Sequence, residues 1–184
     1  MIRRCVLGVT IALLIAGTVA LAQGPGLVVR TTEPTGYEGP LASCYDAGGQ
    51  HLFDIMETYV GTIDRTKRYR TNGTLAQENM RLQVTYDRLY NSADPEKFLE
   101  TSGENEEVRY IYDENGNLMT QYSKGAIYKF TAPAYGTVLL ETGLAIFDRR
   151  NGYELLSNVG HNDVINFYYL GDASGLETIC NYLK

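Results

Sequence analysis

The clearest alternation of apolar and polar residues in this chain lies between Val108 and Tyr122. Its first half alternates residue by residue through Val108–Asp113, and a second extended run begins at Leu118, after the pair Asn115-Gly116. Alternation on both sides of an Asn-Gly pair is typical of a β-hairpin. The pattern therefore predicts two antiparallel strands joined by a tight turn.

The turn length decides which side chains of this hairpin share a face. A two-residue loop would set Asp113 opposite Leu118 and mix charged with apolar groups. A three-residue loop, 114–116, with Gly116 in the left-handed conformation, segregates the two faces and is favoured. The predicted apolar pairs are Tyr112 with Leu118, Tyr110 with Thr120, and Val108 with Tyr122.

Short extended segments bounded by Gly, Pro, Asn or Asp recur along the rest of the chain. They are 52–60, 62–70, 80–87, 126–131, 137–141, 144–147, 153–156 and 164–170. Strands at this spacing, without a long helical pattern, predict an all-β fold, an antiparallel β-sandwich or barrel of short strands and hairpins. The acidic run Glu104–Glu107 is interpreted as a solvated loop before the central hairpin. A two-residue turn at Asn151-Gly152 is expected to set Phe147 opposite Leu156.

The chain opens with features of an export signal. Two arginines precede an almost wholly apolar run from Val6 to Leu21, and Ala20 and Ala22 suit a signal peptidase. We expect residues 1–22 to be a signal peptide cleaved before Gln23, the alternative being a retained membrane anchor. Cleavage would leave no stable membrane anchor and a secreted or periplasmic protein. Residues 23–43 are interpreted as a flexible lead-in and 44–184 as a single β domain.

Cysteine usage agrees with export. Without the signal segment the chain keeps two cysteines, Cys44 and Cys180. Two cysteines in an oxidising compartment allow one intrachain bridge, which we predict here.

The charge balance excludes some partners. The formal net charge is −6, and it becomes −8 once the two arginines of the signal segment are removed. An acidic surface disfavours nucleic acid and anionic membranes as partners.

Candidate catalytic chemistry is sparse. The chain holds two histidines. A hydrolase would use His161 with Asp163 and a hydroxyl such as Ser157 or Ser174, but no Gly-x-Ser-x-Gly elbow is present. Paired carboxylates on different strands, such as Glu57 and Glu141, are a further arrangement that no motif would reveal.

Metal and cofactor sites are not expected. His51 and Asp54 are expected to point to opposite faces of a strand, which disfavours a metal site there.

Fifteen tyrosines and no tryptophan set this composition apart. Tyrosine packs well between strands, and its hydroxyl also suits a ligand-binding face. Tyr110, Tyr112 and Tyr122 are the candidate ligand-facing residues. The leading hypothesis is a non-enzymatic exported domain that binds a small ligand, a glycan, a partner protein or a cell-surface component. The alternatives are the His161 and Asp163 hydrolase and a purely structural envelope component.

Two resemblances accompany these patterns. The segment Tyr110–Leu118, YIYDENGNL, resembles the YD repeat of large cell-surface and toxin-shell proteins. The segments Phe130–Asp148, Val159–Asp163 and Cys180–Leu183 are similar to a group of small exported bacterial all-β proteins with a late Gly-rich strand pair and a C-terminal Cys. The second resemblance implies bacterial export and an all-β fold, and it implies no catalytic residue.

Overall fold

The computed structural model describes residues 26–133, 135–150 and 152–184. These residues are 69% strand and 11% helix, which confirms the predicted all-β class. The predicted signal segment 1–22 lies outside the described residues. Neither helical part of the described chain is long and apolar enough to span a bilayer.

Eight antiparallel strands form one continuous sheet. The strand order is β1-β2-β3-β5-β6-β7-β8, and β4 pairs with the second half of β3. The strands are β1 (Val28–Tyr45), β2 (His51–Tyr69), β3 (Leu75–Asn91), β4 (Asp94–Thr101), β5 (Glu104–Tyr112), β6 (Leu118–Ala132), β7 (Gly136–Asp148) and β8 (Glu154–Asn162).

The first strand corrects the predicted flexible lead-in. Residues 28–43 belong to β1, which runs antiparallel to β2 along almost its whole length. The Gly and Pro residues of this segment suggested a loop. An edge strand tolerates such residues because one side of its backbone needs no ladder partner.

The end of the chain is helical, which corrects the predicted strand at 164–170. One α-helical turn, α1 (Asp163–Ile165), continues as a π-helical turn at Asn166–Leu170. After it comes α2 (Ser174–Leu183). Leu176, Ile179 and Leu183 lie on one side of α2, at helical spacing, and are buried.

Helix α2 covers the apolar half of the sheet's inner face. Its buried side chains join a core that includes Phe53, Ile55, Leu89, Leu99, Phe130 and Leu139. Cys180 of α2 is bonded to Cys44 of β1, with 5.6 Å between their Cα atoms, so the predicted disulfide is present. The disulfide and the core together attach the chain's end to its first strand.

A row of glycines crosses the sheet next to this core. Gly125, Gly143 and Gly160 lie opposite one another on β6, β7 and β8. A Cβ atom on Gly143 would lie 2.1 Å from the carbonyl oxygen of Val159, and the φ angle of Gly143 is 150°. Glycine is required here because the neighbouring backbones approach too closely for any side chain.

The central hairpin confirms the predicted turn but not the predicted register beyond it. Gly116 has a φ of 84°, its N–H bonds to the Asp113 carbonyl (3.1 Å), and Tyr112 pairs with Leu118. A bulge at Met119 then shifts β6 by one residue. Tyr122 therefore pairs with Arg109, and Val108 pairs with Ser123. A shift of one residue turns side chains to the other face, so Tyr122 lies opposite to the predicted side.

The β7–β8 hairpin also differs from its predicted register. Phe147 pairs with Leu155, and two acids, Asp148 and Glu154, stand opposite each other. Arg150 offsets the repulsion between these two acids, because its Nε lies 2.9 Å from Asp148 Oδ2. The Arg150 side chain holds the pKa of Asp148 down to about 2.

Candidate functional site

A groove lies on the outer face of the sheet. Its volume is about 690 Å³, within the usual range of small-ligand sites. Antiparallel pairing places directly opposite residues on the same face, so its floor consists of two rows that cross the strands. The arginine row is Thr66, Asn79, Arg109 and Tyr122, and the charge row is Asp64, Arg81, Glu107 and Lys124.

The charge row neutralises itself. Acid and base alternate from β2 to β6 along it, and Lys124 Nζ lies 2.8 Å from Glu107 Oε2. The hydrogen bond from Lys124, with a smaller contribution from Arg81, lowers the pKa of Glu107. The row holds two acids and two bases, so this half of the groove has little net charge.

The arginine row carries an exposed cation without an acid. The guanidinium carbon of Arg109 lies 4.5 Å from the ring centre of Tyr122. Within the described chain no carboxylate is within ion-pair distance of Arg109. Arginine stacked on an aromatic ring keeps its N–H donors free at the edge of the guanidinium plane. The stack therefore offers a flat surface and hydrogen-bond donors for an anionic or strongly polar group.

The predicted tyrosine face is divided by the Met119 bulge. Tyr122 lines the groove, whereas Tyr110 and Tyr112 belong to the inner face. Burial raises the pKa of Tyr110 to about 12, and Tyr112 approaches Glu78 at 3.5 Å. The ligand-facing role of the three tyrosines stays a prediction, and the geometry favours Tyr122.

A second cluster, the carboxyl layer, lies on the inner face beside the glycine row. It consists of Glu57, Asp87, Glu104, Glu106 and Glu141. All of them except Glu106, which is partly exposed, are buried. Burial is the largest cause of the raised pKa of Glu57, Glu104 and Glu141, each to about 7. Because a buried carboxylate is costly, these groups retain protons near neutral pH.

Asp87 and Glu104 interact with each other within this layer. Each has one buried oxygen, Asp87 Oδ1 and Glu104 Oε2, without a conventional donor among the described residues. The two carboxyls form a hydrogen bond to each other, which requires a proton on one of them. Burial and then the charge of Glu104 raise the pKa of Asp87 to about 8.

Neutral groups donate hydrogen bonds to the carboxyls of the layer. Glu104 Oε1 accepts from the backbone N–H of Lys129 (2.8 Å), and Glu141 Oε2 accepts from that of Val164 (2.9 Å). The Tyr128 hydroxyl donates to Glu57, and Ser123 donates to Glu106. Tyr128 contacts both members of the possible carboxylate pair: it donates to Glu57 and stands opposite Glu141 in register.

The layer corrects the interpretation of 104–107 as a solvated loop. Glu104 and Glu106 begin β5 and point inward with Val108. The alternation that begins at Val108 extends backward through both acids, and this period was the sequence signal for a strand. Their charge suggested solvent exposure instead.

The candidate hydrolase residues meet in a smaller cavity of about 340 Å³. His161, Asp163, Ser174 and Thr178 line it. His161 Nε2 lies 2.8 Å from Asp163 Oδ1, and Asp163 Oδ2 accepts from the backbone N–H of Leu140 (2.8 Å). Among the described residues His161 has no hydrogen bond to Ser174, and Ser157 does not line this cavity. The His-Asp pair is therefore formed without an activated nucleophile.

His51 and Asp54 are in contact, contrary to the predicted divergence. His51 Nε2 lies 2.9 Å from Asp54 Oδ1 because a bulge at Leu52 turns His51 to the face of Asp54. Hydrogen bonds from Ser43 and then His51 lower the pKa of Asp54. In the described ranges no group of three or more His, Cys, Asp or Glu residues has a geometry that could hold a metal ion.

Comparison with known proteins adds no relative. No family model, no curated protein and no solved structure matches this chain. The function is therefore inferred from the groove, the carboxyl layer and the His161 cavity.

Proposed function

We propose that this protein is an exported β domain that binds an extended ligand bearing anionic groups in the outer-face groove. The observation that carries the proposal is the Arg109–Tyr122 stack, an exposed cation with no acid within ion-pair distance among the described residues, in a groove whose charge row holds two acids and two bases. The chain as a whole has a net charge of −6, so its surface is not generally basic. An anionic ligand would therefore be recognised through the local charge of this site. Anionic cell-surface polysaccharides present this chemistry.

Export is part of the same proposal. The Cys44–Cys180 disulfide is compatible with an oxidising compartment. The signal segment 1–22 supports secretion or periplasmic location, and N-terminal sequencing of the exported protein tests it. A mature chain that begins at Gln23 is the expected result, and a retained segment would favour the membrane anchor.

Retention on immobilised polygalacturonate, with dextran as the neutral control, tests the binding proposal. We expect binding to polygalacturonate that weakens with salt, since the contact is partly electrostatic. Arg109→Ala and Tyr122→Ala should each reduce affinity by about tenfold or more, the range for an interfacial anchor residue.

Arg88→Ala is the matched control for these variants. Arg88 also lies over an aromatic ring, 4.2 Å from the centre of Phe98, but it lies outside the groove and near Glu100. Unchanged binding by Arg88→Ala is expected. Equal losses in Arg88→Ala and Arg109→Ala, or equal retention on dextran and polygalacturonate, would remove the groove from the proposal.

A hydrolase at the His161 cavity is the second candidate. One observation favours it, because the fold brings His161, Asp163 and Ser174 to one cavity from separate elements. Turnover of p-nitrophenyl esters that disappears in both His161→Ala and Ser174→Ala, with folding unchanged, would put this function first. Turnover unaffected by either change would exclude the cavity.

A further inference from the structure

The carboxyl layer separates two parts of the sheet's interior. On one side lies the apolar core under α2. On the other side lie inner-face residues of the half of the sheet that contains the central hairpin, such as Val108 and Ala145. Glu106 of the layer stands directly opposite Gly125, the first member of the glycine row. The sheet is closely packed along this row because backbone meets backbone without side chains between them. The layer therefore lies beside the part of the sheet where neighbouring backbones are in close contact.

The groups that face the layer are acids, tyrosines and neutral side chains in the part of the chain that the structure describes. The inward titratable groups are Tyr37 on β1, Glu57 and Tyr59 on β2, Asp87 on β3, Glu104, Glu106 and Tyr110 on β5, Tyr128 on β6, Glu141 on β7 and Asp163 on α1. β4 contributes the neutral Thr101, and β8 contributes Asn162. Among the described residues no Lys, Arg or His side chain bonds to a carboxyl of the layer. Ionisation would therefore place several like charges together without compensation.

Three buried oxygens of the layer lack a donor among the described residues. They belong to Asp87, Glu104 and Glu141, whose exposed fractions are 1%, 3% and 2%. A protonated carboxyl can donate to a neighbouring oxygen, whereas an ionised one only accepts. The geometry of Asp87 and Glu104 is thus complete with a proton and incomplete without it.

We propose that the carboxyl layer is a proton-controlled latch: protonated carboxyls hold the sheet closed along the glycine row, and loss of their protons to water opens it there. In each step a carboxyl O–H bond breaks, the proton passes to solvent, and the carboxylate that remains is repelled by its neighbours. The sheet relaxes until these carboxylates reach water. The latch is independent of the ligand that the outer groove binds.

Infrared spectroscopy of the intact protein tests the protonated state directly. Ordinary Asp and Glu side chains have already lost their protons at pH values well below 7. A carboxylic-acid carbonyl band should therefore remain near pH 6 and disappear by about pH 9, in line with pKa values of about 7 for Glu57 and about 8 for Asp87. Absence of this band near pH 6 would overturn the latch.

Hydrogen exchange followed by mass spectrometry tests the opening. After correction for intrinsic rates, amides of 102–108, 122–128 and 140–146, which hold the layer's acids of β5 and β7 and two glycines of the row, should exchange about tenfold faster near pH 9 than near pH 6, as expected for local opening. Amides of 63–69, in the half of β2 away from the layer, are the internal control. Equal changes in both sets would indicate general loosening and would contradict a latch.

Neutral variants separate the latch from other effects of pH. The triple variant Glu57→Gln, Asp87→Asn, Glu104→Gln imitates the protonated layer and should lose the exchange response. The control triple Glu38→Gln, Glu96→Gln, Glu114→Gln removes the same charge from exposed positions and should retain it. If the first triple does not fold, Glu141→Gln alone should shrink the response. A response that survives in Glu141→Gln and in any folded layer variant would reject the proposal.

Discussion

Arg109 and Tyr122 stand directly opposite each other on β5 and β6, with the guanidinium carbon 4.5 Å from the ring centre. Their contact depends on the bulge at Met119, which turns Tyr122 to the outer face. The carbonyl of Met119 accepts a hydrogen bond from the backbone N–H of Arg149 (2.9 Å), so a neighbouring hairpin stabilises the bulge. One extra residue in β6 thus assembles the arginine row of the groove.

The planar guanidinium of Arg109 should matter beyond its charge. Arg109→Lys keeps the positive charge but loses the flat surface and the fork of donors. We expect it to recover only part of the polygalacturonate binding that Arg109→Ala loses, measured as affinity at constant salt. Full binding in Arg109→Lys would show that charge alone suffices. Arg88→Lys, outside the groove, should bind like the wild type.

The carboxyl layer should make the protein less stable as pH rises through neutrality. In the unfolded chain Glu and Asp ionise near 4.5 and 3.8, whereas the folded protein holds protons up to about 7 on Glu57 and about 8 on Asp87. Between these limits the folded state binds more protons, so the free energy of unfolding falls with rising pH.

Thermal unfolding monitored by circular dichroism measures this dependence. The melting temperature should decrease between about pH 5 and pH 8, and the decrease should be smaller in the Glu57→Gln, Asp87→Asn, Glu104→Gln variant. A melting temperature that rises over this interval would contradict the buried carboxyls.

Two glycines with positive φ should respond differently to alanine. Gly116 has a φ of 84° and open space around it, so Gly116→Ala should cost about 1 kcal/mol from the backbone alone. Gly143→Ala adds a contact of 2.1 Å with the Val159 carbonyl and should cost on the order of 3 kcal/mol. Urea unfolding of both variants measures the difference, and similar losses would show that the sheet relaxes easily at the glycine row.

The Cys44–Cys180 disulfide should contribute strongly to stability. It joins residues 136 apart in sequence, and the chain-entropy relation gives about 5 kcal/mol for a loop of this size. The double variant Cys44→Ala, Cys180→Ala should unfold at a much lower urea concentration. Native, unreduced protein should show no reactive thiol from these two residues in a thiol titration, and two reactive thiols would disprove the bridge.

The Asp148–Arg150 contact should be visible as a shifted titration. Hydrogen bonds from Arg150 hold the pKa of Asp148 at about 2 against an ordinary value of 3.8. In Arg150→Ala the pKa of Asp148 should return toward 3.8 or exceed it, because Glu154 stands opposite. NMR titration of the Asp148 carboxyl measures it, and an unchanged low value would assign the shift to another group.

Local patterns determined the fold class, the central turn and the disulfide. Alternation with period two marks a strand wherever one face is buried, and an Asn-Gly pair with flanking strands defines a turn of few residues. The prediction of the Cys44–Cys180 bridge required only the count of cysteines and an expected export signal. The helical spacing of Leu176, Ile179 and Leu183 also predicts α2. The prediction for this segment used only its cysteine and did not include the helix.

Tertiary structure decided the faces and the sites. The bulge at Met119 depends on a hydrogen bond from another hairpin. The alternation of residues within β5 and β6 therefore does not predict the bulge. The partners that accommodate a buried Glu104 were likewise not predictable, because Asp87 and Lys129 come from other strands. The sequence alone thus determined that this chain forms antiparallel strands, since that follows from neighbouring residues. Which side chains meet in the groove and in the carboxyl layer follows from contacts between residues far apart in the chain, and only the folded sheet establishes them.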